Sequence, residues 1–139
     1  VSFVLDASVT LNWYLDDERT AAADALLMRA AVEGAVVPAL WRLEVANGLQ
    51  MAVRRGRLDP RYRDAAIAEL GHLPITVDPE TDAPAWGGTL HLADRCQITL
   101  YDAAYLELAR RLRLPLATLD AKLGRAAATA GVDVLGTQD

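Results

Sequence analysis

Five short apolar runs, each separated from the next by a longer stretch with helical spacing, constrain this chain more than any other feature. The runs are Phe3-Val4-Leu5, Ala35-Val36-Val37, Ile75-Thr76-Val77, Leu116-Ala117-Thr118 and Val132-Asp133-Val134. Each has the length and composition of a strand, and the segments between them are rich in Ala, Leu and Arg, the residues that lose least on entering a helix. Gly34, Gly56, Gly71 and Gly131 stand where helix C-terminal stops are expected. Strand alternating with helix predicts an α/β fold, a mostly parallel sheet covered on both faces. No repeat, linker or low-complexity tract divides it, so residues 1–139 read as a single domain, with Asp78 to Gly88 as a loop leading into a helix. In such sheets ligands bind beyond the carboxyl ends of the strands.

Acidic side chains fall at those ends. Asp6 directly follows the first run, Asp120 follows Leu116-Ala117-Thr118-Leu119, and Asp102 opens a helix after Ile98-Thr99-Leu100-Tyr101. Each taken alone is explained as a helix cap accepting backbone N–H bonds. Glu44 is not. With Pro38 in the first turn of its helix, Glu44 is expected past the capping positions, among Leu43, Val45, Ala46 and Leu49, in a helix apolar on most sides. A carboxylate there costs several kcal/mol, roughly, unless it is paired or bound to a cation. Asn47 shares its face. Four carboxylates on one crevice repel unless they share protons or hold a cation, and an all-oxygen donor set suits Mg²⁺ or Mn²⁺. His72 and His91 match no zinc-ligand spacing and read as surface or helix-packing residues. No glycine-rich turn follows the first strand, which argues against dinucleotide binding.

The net charge of −5 argues against a general nucleic-acid binder, but its distribution matters more than the sum. Arg54, Arg55, Arg57, Arg61 and Arg63 cluster, as do Arg110, Arg111 and Arg113; Lys122 is the only lysine. Either Arg group can be a solvated helix end or a phosphate contact. Cys96 alone makes no intrachain disulfide, which fits a reducing cytoplasm, and it reads as a small buried apolar residue. No apolar run spans a membrane. The first residues lack the basic start and long apolar stretch of a secretory leader, and because no Met precedes Val1 a trimmed start is expected. Trp13, Trp41 and Trp86 are candidates for partner surfaces, with core packing the simpler account of each.

Four segments together resemble the PIN-domain family, and within it the VapC-type toxins of VapBC toxin–antitoxin pairs. Val4-Leu5-Asp6-Ala7-Ser8-Val9 is similar to the family's opening strand. Val37-Pro38-Ala39-Leu40 with Glu44-Val45-Ala46-Asn47-Gly48-Leu49 is similar to its second-acid helix. Leu100-Tyr101-Asp102-Ala103-Ala104-Tyr105 and Leu116-Ala117-Thr118-Leu119-Asp120-Ala121-Lys122 are similar to its third and fourth motifs. The resemblance implies a three-layer α/β/α sandwich and an endoribonuclease holding one or two divalent ions. Asp6, Glu44, Asp102 and Asp120 would be its metal-binding and catalytic acids, and Ser8, Asn47 and Thr118 its supporting polar residues. It also implies a VapB-type antitoxin, a homodimer and a cytoplasmic setting. Metal-activated water would hydrolyse RNA to a 5′-phosphate and a 3′-hydroxyl, with Arg54, Arg55 and Arg57 as candidate phosphate contacts. The rival readings are a PIN nuclease of RNA processing, a hydrolase using Asp6 as nucleophile and a non-catalytic receiver-like or scaffold module. The second usually has an acid where this chain has Ser8, and the third leaves Glu44 unexplained.

Overall fold

In the computed structural model, which describes residues 1–15 and 17–136, the chain alternates as expected. The elements run β1 (Val4–Leu5), α1 (Ala7–Asn12), α2 (Ala21–Glu33), β2 (Ala35–Val37), α3 (Trp41–Arg54), α4 (Pro60–Leu70), β3 (Ile75–Val77), α5 (Gly88–Cys96), α6 (Leu100–Leu112), β4 (Leu116–Ala117), α7 (Ala121–Thr129) and β5 (Val134–Leu135). The sheet order is β3-β2-β1-β4-β5. Every pairing is parallel, not merely most of them. Val4, Leu5, Val36, Val37, Leu116 and Ala117 are all buried although neighbours on a strand point to opposite faces. Both faces of the three central strands are therefore covered by helices, giving three layers. The edge strand β3 exposes Thr76 and Val77.

The last strand starts two residues later than its apolar run suggests, with Leu116 opposite Val134 and Ala117 opposite Leu135. The reason lies in how α7 ends. Gly131, at φ +81°, sends its N–H to the Ala128 carbonyl at 3.1 Å, and the Val132 N–H bonds the Ala127 carbonyl at 2.9 Å. That is a Schellman closure, and it draws Val132 back onto the helix and away from the sheet. Among the expected stops, Gly34 and Gly56 also take positive φ whereas Gly71 stays right-handed. Helices α5 and α6 end on left-handed Gln97 and Arg113, stops that no glycine announces.

The core is built from Phe3, Leu5, Trp13, Leu49, Tyr105, Leu106, Leu108 and Leu123, and each such large apolar side chain contributes roughly 1.5–3 kcal/mol by leaving water. Helix α6 is the most deeply packed, burying Ala103 to Leu106, Leu108 and Ala109. Trp13 donates to the Ala23 carbonyl at 2.7 Å and Trp41 to Thr10 Oγ1 at 3.2 Å, so both are core residues, while Trp86 is 91% exposed. Cys96 is half-buried at the margin of the core. His72 and His91 are exposed. Among the described residues no helix is long and apolar enough to cross a membrane.

Candidate active site

The chain leaves β1 toward β2 and β3 on one side, then returns to place β4 and β5 on the other. The crevice beyond the carboxyl ends of β1 and β4 is thus the topological switch point, where open parallel sheets leave room for a ligand. Asp6 ends β1 and its N–H extends the ladder to the Ala117 carbonyl at 3.0 Å. Asp6 is the N-terminal boundary residue of α1 yet makes no side-chain cap. Instead its Oδ2 accepts from Ser8 Oγ at 2.6 Å and from Thr118 Oγ1 at 2.8 Å. Ser8 Oγ also accepts from the Leu119 N–H, and Thr118 Oγ1 from the Asp120 N–H, both at 3.0 Å. These bonds tie the ends of β1 and β4 together through one carboxylate.

Asp120 does cap its helix, with Oδ1 accepting the Lys122 and Leu123 N–H groups at 2.9 and 3.0 Å. Asp102 lies in the first turn of α6, whose cap is Thr99 Oγ1, leaving the Asp102 carboxylate free for another task. Glu44 differs from expectation. Helix α3 begins at Trp41, after a turn at Pro38, so Glu44 is in its first turn. Leu43 is 76% exposed and Ala46 is exposed as well, so the helix buries one face, not most sides. Glu44 itself is half-buried, and its Oε1 accepts a 2.7 Å bond from Tyr105 Oη on α6. Tyr105 is wholly buried and was not singled out from the sequence. The signal was there: a phenol on the core face of a helix needs a partner for its O–H.

Asp6, Ser8, Glu44, Asn47, Asp102 and Asp120 line one open pocket of about 340 Å³, with Leu11 and Gly48 among its apolar and small members. Thr118 lies buried beneath it. Gly48 lets α1 and α3 approach, since a methyl group there would come within 2.5 Å of Leu11 Cδ1 and the Leu11 side chain would have to move. Arg54, Arg55 and Arg57 are not among the lining residues. Arg57 bonds Asp17 at 2.9 Å and lies 3.4 Å from Glu18, while Arg54 and Arg55 are exposed at the end of α3.

No cationic side chain lines the pocket, and the acids respond to that. Burial raises the Asp6 carboxyl, against the opposing bonds from Ser8 and Thr118. Burial also raises Glu44, partly offset by Tyr105, with the Asp6 charge adding to the rise. Asp102 is pushed up to about 6, first by burial and then by the charges of Asp6, Asp120 and Glu44. Among the described residues nothing donates a hydrogen bond to the Asp102 carboxylate. The donors suit a hard dication in type and in charge. Their spacing is wider than an ion requires: among the described residues no three acids converge closely enough to hold one as they stand.

The family profile described as PIN domain matches residues 3–129. Ribonuclease VapC3 of Mycobacterium tuberculosis is 35% identical over 126 residues, covering 88% of this chain and 85% of its own. Ribonuclease VapC3 of Pyrobaculum aerophilum is 30% identical over 123 residues, covering 88% and 92%. Two solved structures share the fold. PAE2754 from Pyrobaculum aerophilum has a TM-score of 0.66 at 24% identity, over 96% of this chain and 90% of its own. FitAcB from Neisseria gonorrhoeae has a TM-score of 0.66 at 19% identity, over 96% of both. A parallel sheet with acids gathered at its switch point, matched over nearly its whole length by this profile and these relatives, belongs to the PIN-domain family, in its VapC-type branch.

Proposed function

We propose that the chain is a divalent-metal-dependent endoribonuclease, the toxin of a VapBC-type pair. The observation that carries this is the meeting of Asp6, Glu44, Asp102 and Asp120, from four separate elements, in one pocket that no cationic side chain lines among the described residues. The relatives' name, Ribonuclease VapC3, supports RNA as the polymer. To hold Mg²⁺ or Mn²⁺ the four acids would draw closer around it, with Asp6 and Glu44 already oriented by hydroxyl donors. Such an ion supplies a water of lowered pKa and stabilises charge developing on the phosphate.

The side chains divide the remaining work. Ser8 and Thr118 fix the Asp6 carboxylate, and Tyr105 fixes Glu44. Asp120 is anchored through Oδ1 by backbone N–H groups, so it can orient an attacking water. Asp102, whose carboxylate accepts no hydrogen bond among the described residues, can take a proton from that water and pass it to solvent. Asn47, exposed at the pocket rim, can donate to a phosphate oxygen. Displacement by water leaves a 5′-phosphate and a 3′-hydroxyl. The proposed setting is cytoplasmic, as a homodimer neutralised by a VapB-type antitoxin.

Induced expression of wild type beside Asp6→Asn, with RNA ends mapped from both, tests the reading. Growth arrest and discrete new 5′-phosphate ends in wild type alone are expected. Equal cleavage of RNA by purified protein in excess chelator would refute the metal-dependent mechanism.

A further inference from the structure

A second pocket, of about 690 Å³, lies where α5, α6 and α7 meet, and its charge is the reverse of the first. Arg95, Arg110, Lys122 and Arg125 line it, and among the described residues no acidic one does. All four are exposed. Elsewhere five cations, Arg19, Arg29, Arg57, Arg63 and Arg111, each bond a carboxylate. Among the described residues none of these four forms an ion pair, although the chain carries 19 acids to 14 bases.

Helix-dipole complementarity explains half of the set. Arg95 and Arg110 stand in the last turns of α5 and α6, where a cation is favoured. It does not explain Lys122 and Arg125. Lys122 sits in the first turn of α7, the end that favours anions, and Arg125 follows it at i+3 on the same face. No residue of α7 is acidic. Four cations around one concavity make a local positive potential that attracts an anion, although their exposure leaves it screened by salt.

The two pockets adjoin. Lys122 lies two residues beyond Asp120, which lines the acidic pocket, and its ammonium is near enough to offset part of the upward push on Asp102. Arg guanidinium groups match phosphate oxygens in pairs. A strand whose scissile phosphate sits over the acids would carry its neighbouring phosphates past Lys122.

We propose that the Arg95–Arg110–Lys122–Arg125 pocket binds backbone phosphates of the single-stranded RNA flanking the cleavage site. This rests on the nuclease reading and adds to it the direction in which the strand leaves the acids. It shifts phosphate contact away from the end of α3, where Arg57 is engaged with Asp17 and Glu18.

The test is the salt dependence of binding of a fluorescein-labelled, mixed-sequence oligoribonucleotide of about 12 nucleotides, in EDTA so that nothing is cut. Replacing Arg110 and Arg125 together by Ala should flatten the log–log salt slope by about 1.4, since each lost single-strand phosphate contact removes about 0.7. Affinity in low salt should fall about tenfold. The Arg110→Lys/Arg125→Lys pair keeps the charges and should keep the slope, and both pairs should melt with wild type, which separates lost charge from lost fold. An unchanged slope in the Ala pair overturns the proposal. So does a slope flattened instead by Arg54→Ala/Arg55→Ala, or a Ala pair that binds RNA normally but loses an acidic protein partner. Cleavage by wild type is scored separately: its absence, with salt-dependent binding through these residues intact, would sink the nuclease reading and leave the phosphate pocket standing.

Discussion

Asp6 is held by two hydroxyls, Glu44 by one and Asp120 by backbone, while Asp102 has no donor among the described residues and is pushed up to about 6. Tyr105 is the residue whose removal isolates one of these effects. Tyr105→Phe keeps the ring in the core and deletes the bond to Glu44. Stability should fall by about 1–2 kcal/mol, and the Mg²⁺ needed for half-maximal activity should rise about tenfold or more, as for other residues that orient a metal ligand. A Mg²⁺ titration identical to wild type would show that Tyr105 only fills space. Asp6, Asp102 and Asp120 could be read from the sequence because each directly follows a strand or opens a helix. Glu44 was found for a partly mistaken reason, since its helix begins later and is less buried than its composition suggests. Tyr105 escaped because its partner is 61 residues away, beyond any local pattern.

At the scale of elements, α6 links the acidic pocket to the edge of the sheet at β3. Its first turn carries Asp102, and its last carries Arg111, which grips the buried Asp78 just after β3 at 2.6 and 3.2 Å and Glu107 at 2.8 and 3.1 Å. Burial pushes the Asp78 carboxyl up, but Arg111 together with the Glu80 N–H and Thr81 more than offsets it and holds that carboxyl below the usual range. Asp78 also accepts from Thr81 Oγ1, which in turn accepts the Ala39 N–H, so the loop before α3 is tied to the same knot. Arg111→Ala leaves a buried carboxylate with no ion-pair partner and should cost about 3 kcal/mol by chemical denaturation. Adding Asp78→Asn to it should recover part of that loss, and no recovery would show the cost to be one of packing. The folded Asp78 pKa is depressed, so its contribution is present above the unfolded value near 4 and disappears as pH falls through the folded one. Strand and helix identities were legible in the sequence, because period and composition set them. This knot was not: Arg111 looked like one more cation at a helix end, and only the tertiary fold brings it to Asp78. The start of β5 was hidden for a similar reason, in the closure of α7 around Gly131.

For the molecule as a whole, the acidic pocket makes folding oppose charge. Asp102 goes from an ordinary 3.8 to about 6, and Asp6 and Glu44 move the same way. Between those values the folded chain binds more protons than the unfolded one, so stability falls as pH rises through the window. Metal-free protein should therefore melt higher at about pH 5 than at about pH 7.5, Mg²⁺ should remove most of the difference, and Asp102→Asn should recover about 1 kcal/mol at the higher pH after allowance for solvent screening. A melting temperature that climbs steadily over that range in EDTA would contradict the assigned crowding of charge. The switch-point arrangement has one more outcome, in time rather than energy. β1 and Asp6 leave a ribosome well before Thr118, Asp120 and the strand that seats them. A copy halted between Glu44 and Asp102 has only two of the four carboxylates and lacks the Thr118 bond that helps hold the first, so a cell translating this message would meet no RNA-cutting activity from it until Asp120 had been made.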